Sequence, residues 1–370
     1  MLSLVTLRSL PLLEPRRAAL ETCVYCPKLC RAACPVSGAE GNETVTPWGK
    51  MSMAYFAARG DVPVDPVHAA PAWACSSCYA CRETCDHRNE VAATLSDARA
   101  ALFAQGAAPD AARHLAERWP AHEVALSHAI AGIEGARPPS SSSKVPAALL
   151  LGCGYARRAS EVGRDAITAT EALLDRPVRP VELCCGLPLL DAGDRDGFVG
   201  AATKFAAAVE DAPELVAVDP GCARAVLVEY PRHGVSVRRP ELFVDLVARG
   251  LDRLKPLPDL GPLRYHDPCQ LGRGLGRYDE PRAILGKVSG APPQTFPRTR
   301  EHGECSGAGG LLPLTRPETS RAIADARIAE HRALGGGTLV TACAQSLHRF
   351  RSRGEDALDL VTLVARSLSR

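Results

Sequence analysis

A chain of 370 residues is long for one hydrophobic core and predicts two or three domains, which its 46% apolar fraction can fill. Forty-four basic against 42 acidic residues leave a formal charge of +2 with no basic arm or patch, which argues against nucleic acid as a partner. Fifteen cysteines are odd in number, and in a reducing compartment they point to metal or cluster ligation rather than disulfides.

The N-terminal stretch MLSLVTLRSLPLLEPRR is apolar but broken by Arg8, Pro11 and Glu14, and its basic pair follows the apolar part. It reads against a signal peptide. No run approaches the ~20 apolar residues of a transmembrane helix, so a cytoplasmic protein is expected, with any membrane contact peripheral and made through a partner. The first cysteine run, Cys23 to Cys34, precedes a helix predicted over Pro47–Arg59, opened by proline and closed by Gly60. The second, Cys75 to Cys85, precedes helical stretches over Ala92–Gln105 and Asp110–Ala131. Arg137–Ser143 (RPPSSSS) reads as a linker.

Beyond it, short apolar runs alternate with helical ones. Ala147–Gly152, Val178–Cys184 and Leu215–Val218 read as strands, with helices at Ser160–Leu174, Gly197–Glu210 and Pro240–Ala248. After the proline-rich Lys255–Pro262 a similar series follows: Leu263–His266, Pro281–Val288, Pro317–Leu334, Thr338–Thr341 and Asp356–Ser369. Such alternation predicts α/β domains with largely parallel sheets. The cysteines reveal a duplication: Cys184 and Cys222 each lie 121 residues before Cys305 and Cys343, and Cys153 lies 116 before Cys269.

The second run has the spacing C-x2-C-x2-C-x3-C. Its first three thiolates suit one 4Fe–4S cubane, and its fourth is carried to a neighbouring cluster. The expected sets are Cys75, Cys78, Cys81 and Cys34 for one cluster, and Cys23, Cys26, Cys30 and Cys85 for the other. The first run carries an extra residue between Cys26 and Cys30, which alters its loop. Zinc is the rival occupant, although zinc sites more often use paired C-x2-C hooks.

At LLLGCG, ELCCGLP, DPGC, YHDPC, ECSGAGG and TACAQS the sequence resembles the cysteine-rich CCG-domain iron–sulfur proteins. These include heterodisulfide reductase catalytic subunits and the iron–sulfur subunits of glycolate oxidase and of anaerobic glycerol-3-phosphate dehydrogenase. The resemblance implies an α+β multidomain fold: a helical ferredoxin-type domain (1–136), a linker (137–144) and two duplicated α/β CCG domains (145–254 and 255–370). It implies a third cluster site at Cys153, Cys184, Cys185 and Cys222, where Ala225 replaces a fifth cysteine. The second copy keeps Cys269, Cys305 and Cys343, with Ser306 and Ser346 at cysteine positions, and reads as degenerate because a hydroxyl is a poor ligand for soft iron. His266 with Asp267, and His87, stand beside cysteines and either tune them or serve as ordinary hydrogen-bonded residues.

The glycine-rich GCGYAR and LGRGLGR fail the dinucleotide fingerprint, so no flavin or nicotinamide site is expected; the glycines at 307–310 suit a close backbone approach or a tight turn. The resemblance implies an electron-transfer subunit that works with a flavin-dependent dehydrogenase and passes electrons to or from an acceptor such as quinone. Two rivals stand: a heterodisulfide-reductase-like enzyme using the first CCG site, and a non-catalytic metal or redox-sensing scaffold.

Overall fold

Pro47–Arg59 is a helix for the reasons its sequence supplies. Thr46 accepts the Gly49 N–H at 3.0 Å, Pro47 fills the first turn, and Gly60 closes the end in the left-handed region (φ +85). The computed structural model describes residues 7–135 and 143–369. The expected linker Arg137–Ser143 lies, except for its last residue, outside the described residues.

Two compact units emerge, each discontinuous in sequence. The first comprises Met1–Arg118, Pro188–Phe198 and Glu304–Arg327. It is helical, and Leu20, Met51, Tyr55, Trp73, Leu95 and Leu102 form its apolar core. Arg99, buried in the helix Val91–Ala104, ties its three segments together. It donates to the carbonyls of Ala72 (2.9 Å), Cys75 (2.7 Å), Asp191 (3.2 Å) and Gly310 (3.4 Å).

The second unit comprises Trp119–Leu187, Val199–Gly303 and Ile328–Arg370. The strands β1 (Ala147–Leu150), β2 (Val178–Pro180), β3 (Leu215–Ala217) and β4 (Glu241–Leu242) form a parallel sheet in the order β2-β1-β3-β4. The strands β5 (Leu263–Tyr265), β6 (Thr338–Thr341) and β7 (Leu358–Asp359) form a second parallel sheet, β5-β6-β7, and Gln294 bridges to Arg264 where a counterpart of β2 would lie. β1 is wholly buried, as expected of a parallel strand covered on both faces. The duplication recurs in the packing: Ser160–Leu174 packs on Leu360–Leu368, and Asp279–Ser289 packs on Phe243–Arg249. The first long helix of each copy thus meets the last α-helix of the other.

Four expectations need correction. Asp110–Ala131 is two helices, Asp110–Glu117 and Trp119–Gly135, because Pro120 has no N–H to continue the ladder and takes the start of the second. The helix expected from Pro240 starts at Phe243, and that expected within Asp356–Ser369 starts at Leu360, because β4 and β7 intervene. The strand at Val178 stops at Pro180, which leaves Cys184 in a loop.

Between the copies, the Tyr155 hydroxyl donates to Asp359 Oδ2 at 2.8 Å, while Asp359 Oδ1 caps the last helix through the Val361 N–H at 3.0 Å. Burial pushes the Asp359 carboxyl up to about 7; the nearby Asp219 also raises it, and the two hydrogen bonds and Arg351 lower it. The folded chain therefore keeps a proton that the unfolded chain releases. Stability is greatest below the ordinary carboxylate pKa and falls as pH rises toward 7, by about 3–4 kcal/mol from this group. Asp359→Asn is expected to flatten that part of the slope, read from urea midpoints at pH 5 and pH 8; an unchanged difference between the two would contradict it.

Candidate metal centres

In the first unit the two cysteine runs fold around adjacent cavities. Cys23, Cys26, Cys30 and Cys85 line one, together with Trp48, His87 and Asn89. Cys34, Cys75, Cys78 and Cys81 line the other, together with Lys50 and Tyr79; Cys81 and Val91 face both. Each set expected from the spacing is thus gathered around one cavity. The residue inserted between Cys26 and Cys30 is absorbed by Lys28, which turns left-handed (φ +68) and stacks its ammonium 4.2 Å from the Trp48 ring. Ser77 and Tyr79 are also left-handed, and the Ser77 N–H points to Cys75 Sγ at 3.4 Å. Such strain in non-glycine residues persists where surrounding structure fixes it, often at functional sites.

The glycines near Cys305 do approach this loop. A Cβ on Gly310 would lie 2.2 Å from the Cys75 carbonyl oxygen, so only glycine fits there. Cys305 itself donates to Ser76 Oγ at 3.7 Å and accepts the Gly307 N–H at 3.3 Å.

The donor chemistry fits iron–sulfur clusters. Burial, then neighbouring cysteines, pushes the Cys23 thiol up to about 12 and the Cys30 thiol up to about 11; the same causes hold Cys81 well above its ordinary value. A cationic centre relieves that crowding, and all-thiolate sites favour soft iron. Among the described residues no three of these sulfurs lie within 4.8 Å of one another. Ligands of a single zinc ion are at most ~4.6 Å apart, the span of two ~2.3 Å bonds, so this wider spacing suits a polynuclear cluster better.

The two cavities differ electrostatically. Lys50 is buried and donates to Cys34 Sγ at 3.3 Å. Burial pushes its ammonium down, but the nearby Cys34 and Cys75 sulfurs outweigh this and the net shift is upward, so it stays charged. The other cavity has a neutral partner: Asn89 Nδ2 donates to Cys23 Sγ at 3.1 Å and to the Ala19 carbonyl at 2.8 Å.

In the second unit a further group forms beyond the carboxyl ends of β1, β2 and β3, where ligands of open parallel sheets characteristically bind. Cys153 opens the helix after β1, Cys184 and Cys185 lie in the loop after β2, and Cys222 lies in the helix after β3. Asp219 caps that last helix by accepting the Gly221 and Cys222 N–H groups at 2.9 and 3.2 Å. Gly152 (φ +91) permits the convergence, since a Cβ there would lie 2.9 Å from Asp219 Cβ and 3.1 Å from Cys222 Sγ. The four sulfurs form a hydrogen-bonded chain in the order 153, 184, 185, 222. It holds the Cys153 and Cys185 thiols down and the Cys184 and Cys222 thiols up. Ala225 offers no donor, and the backbone there widens into a π turn over Ala225–Glu229.

His122, in the helix Trp119–Gly135, carries no ligand spacing in the sequence that would single it out. One of its ring nitrogens and the Cys153 and Cys184 sulfurs all lie within 4.8 Å of one another. The histidines singled out from the sequence sit otherwise. His266 is buried with its ring edge-on to Phe350 at 5.0 Å; Asp267 is held by Arg282 at 2.7 Å; His87 is exposed at the rim of the first cavity.

The cysteines of the second copy are divided between the units. Cys269 and Cys343 belong to the second, Cys305 to the first. The Cys343 thiol is pushed up to about 12 by burial, against hydrogen bonds from Ser346, which occupies a position where a cysteine was expected.

Residues 19–89 match the 4Fe-4S dicluster domain family, and residues 147–226 and 263–350 each match the cysteine-rich domain family. The chain is 26% identical over 333 residues to one subunit of the fumarate reductase (CoM/CoB) of Methanothermobacter marburgensis, covering 88% of this chain and 66% of that one. It is 28% identical over 206 residues to one subunit of the dihydromethanophenazine:CoB–CoM heterodisulfide reductase of Methanosarcina mazei, covering 50% of each. Over 101 residues it is 39% identical to the EtfAB:quinone oxidoreductase of Syntrophomonas wolfei, covering 26% of this chain and 14% of that protein. The chain thus spans less than two thirds of the length of each of these relatives.

Proposed function

The chain belongs to the iron–sulfur proteins that join a 4Fe-4S dicluster domain to duplicated cysteine-rich CCG domains, and from that premise we propose that it is the electron-transfer subunit of an oxidoreductase. It relays electrons between a flavin-dependent dehydrogenase of a small organic acid and an acceptor such as quinone. The observation that carries this reading is the gathering of the two cysteine runs around adjacent cavities that share Cys81 and Val91.

When bound, 4Fe–4S clusters supply one-electron storage. Cys23, Cys26, Cys30 and Cys85 hold one, and Cys34, Cys75, Cys78 and Cys81 hold the other. Trp48 and Val91 shield the sulfurs from water, while Lys50 and Asn89 present unequal charge to the two sets. The relatives named above include a quinone oxidoreductase and subunits of two reductases, which supports work alongside partner subunits.

A second reading, a reductase of disulfides at the first CCG site, is favoured by the convergence of Cys153, Cys184, Cys185 and Cys222. Mixing the anaerobically reduced chain with a soluble short-chain quinone, and separately with a small disulfide, separates the two. The relay reading expects loss of the reduced cluster spectrum with quinone and no thiol released from the disulfide. Thiol release would favour the reductase, and reoxidation by neither would contradict the relay.

A further inference from the structure

The first cysteine-rich copy contains a donor that its cysteine spacing does not announce. His122 is stacked on Trp119, with ring centroids 4.7 Å apart, and this contact fixes the imidazole plane. Its Nε2 is buried, and the ring hydrogen-bonds the Cys153 thiol. A ring nitrogen already directed at a cysteine sulfur is placed to ligate a metal that the sulfur holds. We infer that His122 is a nitrogen ligand of a metal centre that it shares with Cys153 and Cys184, a mixed nitrogen–sulfur site for a soft transition metal, iron or zinc. The inference rests on the reading of the first CCG copy as a metal-binding site, and does not depend on the relay itself.

Distance supports it. The three donor atoms lie within 4.8 Å of one another, close to the ~4.6 Å that two metal–sulfur bonds can span. No other such group of three histidine, cysteine or carboxylate donors occurs among the described residues. The position also makes sense of Ala225. Where the cysteine pattern lapses, the helix Trp119–Gly135 brings a donor from outside the pattern. Cys185 and Cys222 extend the sulfur chain and offer further ligands. Imidazole and thiolate together suit both zinc and iron.

The proton balance is simple. Arg157 Nη1 donates to His122 Nδ1 at 3.0 Å, so the free neutral ring carries its proton on Nε2. Ligation through Nε2 moves that proton to Nδ1 and releases the exposed Arg157 side chain to water.

The test uses the full chain purified anaerobically. Metal analysis of wild type against Cys153→Ala assigns the metal held at this site, and X-ray absorption at that metal's edge reads its ligand shell; for iron, pulsed EPR reads nitrogen coupling as well. The wild-type shell is expected to contain one nitrogen. His122→Ala is expected to lose the metal to a chelator at least tenfold faster. His122→Cys is expected to restore retention with an all-sulfur shell. Far-UV circular dichroism and the EPR signals of the N-terminal clusters verify that each variant is folded. Iron with a nitrogen neighbour and zinc with a nitrogen neighbour both support the inference and identify the metal. An all-sulfur shell in wild type, His122→Ala retaining metal as wild type does, or no metal lost in Cys153→Ala overturns it. Absence of the N-terminal signals in wild type would count against the relay alone.

Discussion

Arg99→Met is expected to destabilise the first unit by about 3–5 kcal/mol. The substitution keeps the length and apolar stem of the side chain. It leaves four carbonyls, of Ala72, Cys75, Asp191 and Gly310, without the guanidinium that now satisfies them. Each lost charged hydrogen bond costs ~1.5–3 kcal/mol where the acceptor stays buried, and partial relaxation brings the total into the stated range. Arg99→Lys is expected to recover only part of the loss, since one ammonium cannot fork to acceptors on three chain segments. Urea unfolding followed by the visible absorption of the clusters reports it. A midpoint shift equivalent to less than about 1 kcal/mol would mean that the segments are held together mainly by apolar packing.

Lys50→Met is expected to lower the potential of the cluster held by Cys34, Cys75, Cys78 and Cys81 by on the order of 100 mV. The buried ammonium lies 3.3 Å from Cys34 Sγ and favours the more negative, reduced state of whatever those sulfurs hold. Its counterpart at the other set is the neutral amide of Asn89, so that potential should move much less. In the proposed relay, this unequal pair would make the Lys50 side the better electron acceptor. Potentiometric titration with EPR detection separates the two signals. Equal shifts in both, or none, would contradict the assignment of Lys50 to one cluster.

The parts of this molecule legible in the sequence are those written in local spacing. C-x2-C-x2-C fixes which thiols can reach one cavity, and the offset of 121 residues between cysteines exposed a duplication that reappears as two parallel sheets. Pro47 in the first turn and Gly60 just past the last placed a helix to the residue. Features set by tertiary pairing were not legible. β4 and β7 are two residues long, too short to show a period, and exist only because β3 and β6 offer an edge. Nothing in their composition marks Pro188–Phe198 and Glu304–Arg327 as folding with the N-terminal helices; the contacts through Arg99 and Gly310 do that. Lys50 and Arg99 were not singled out either, because each shares its helix with a second charge, Arg59 or Asp97, and only the fold shows which is buried. His122 left no trace, because it lies 31 residues before its nearest cysteine partner, on a helix with no ligand spacing.

If the N-terminal cysteines hold two clusters, iron and acid-labile sulfide analysis of the anaerobically purified chain, combined with EPR of its dithionite-reduced form, is expected to give at least about eight iron and eight sulfide per chain and two magnetically interacting cubane signals, as adjacent cavities require. Zinc without sulfide in those cavities would contradict the two-cluster reading.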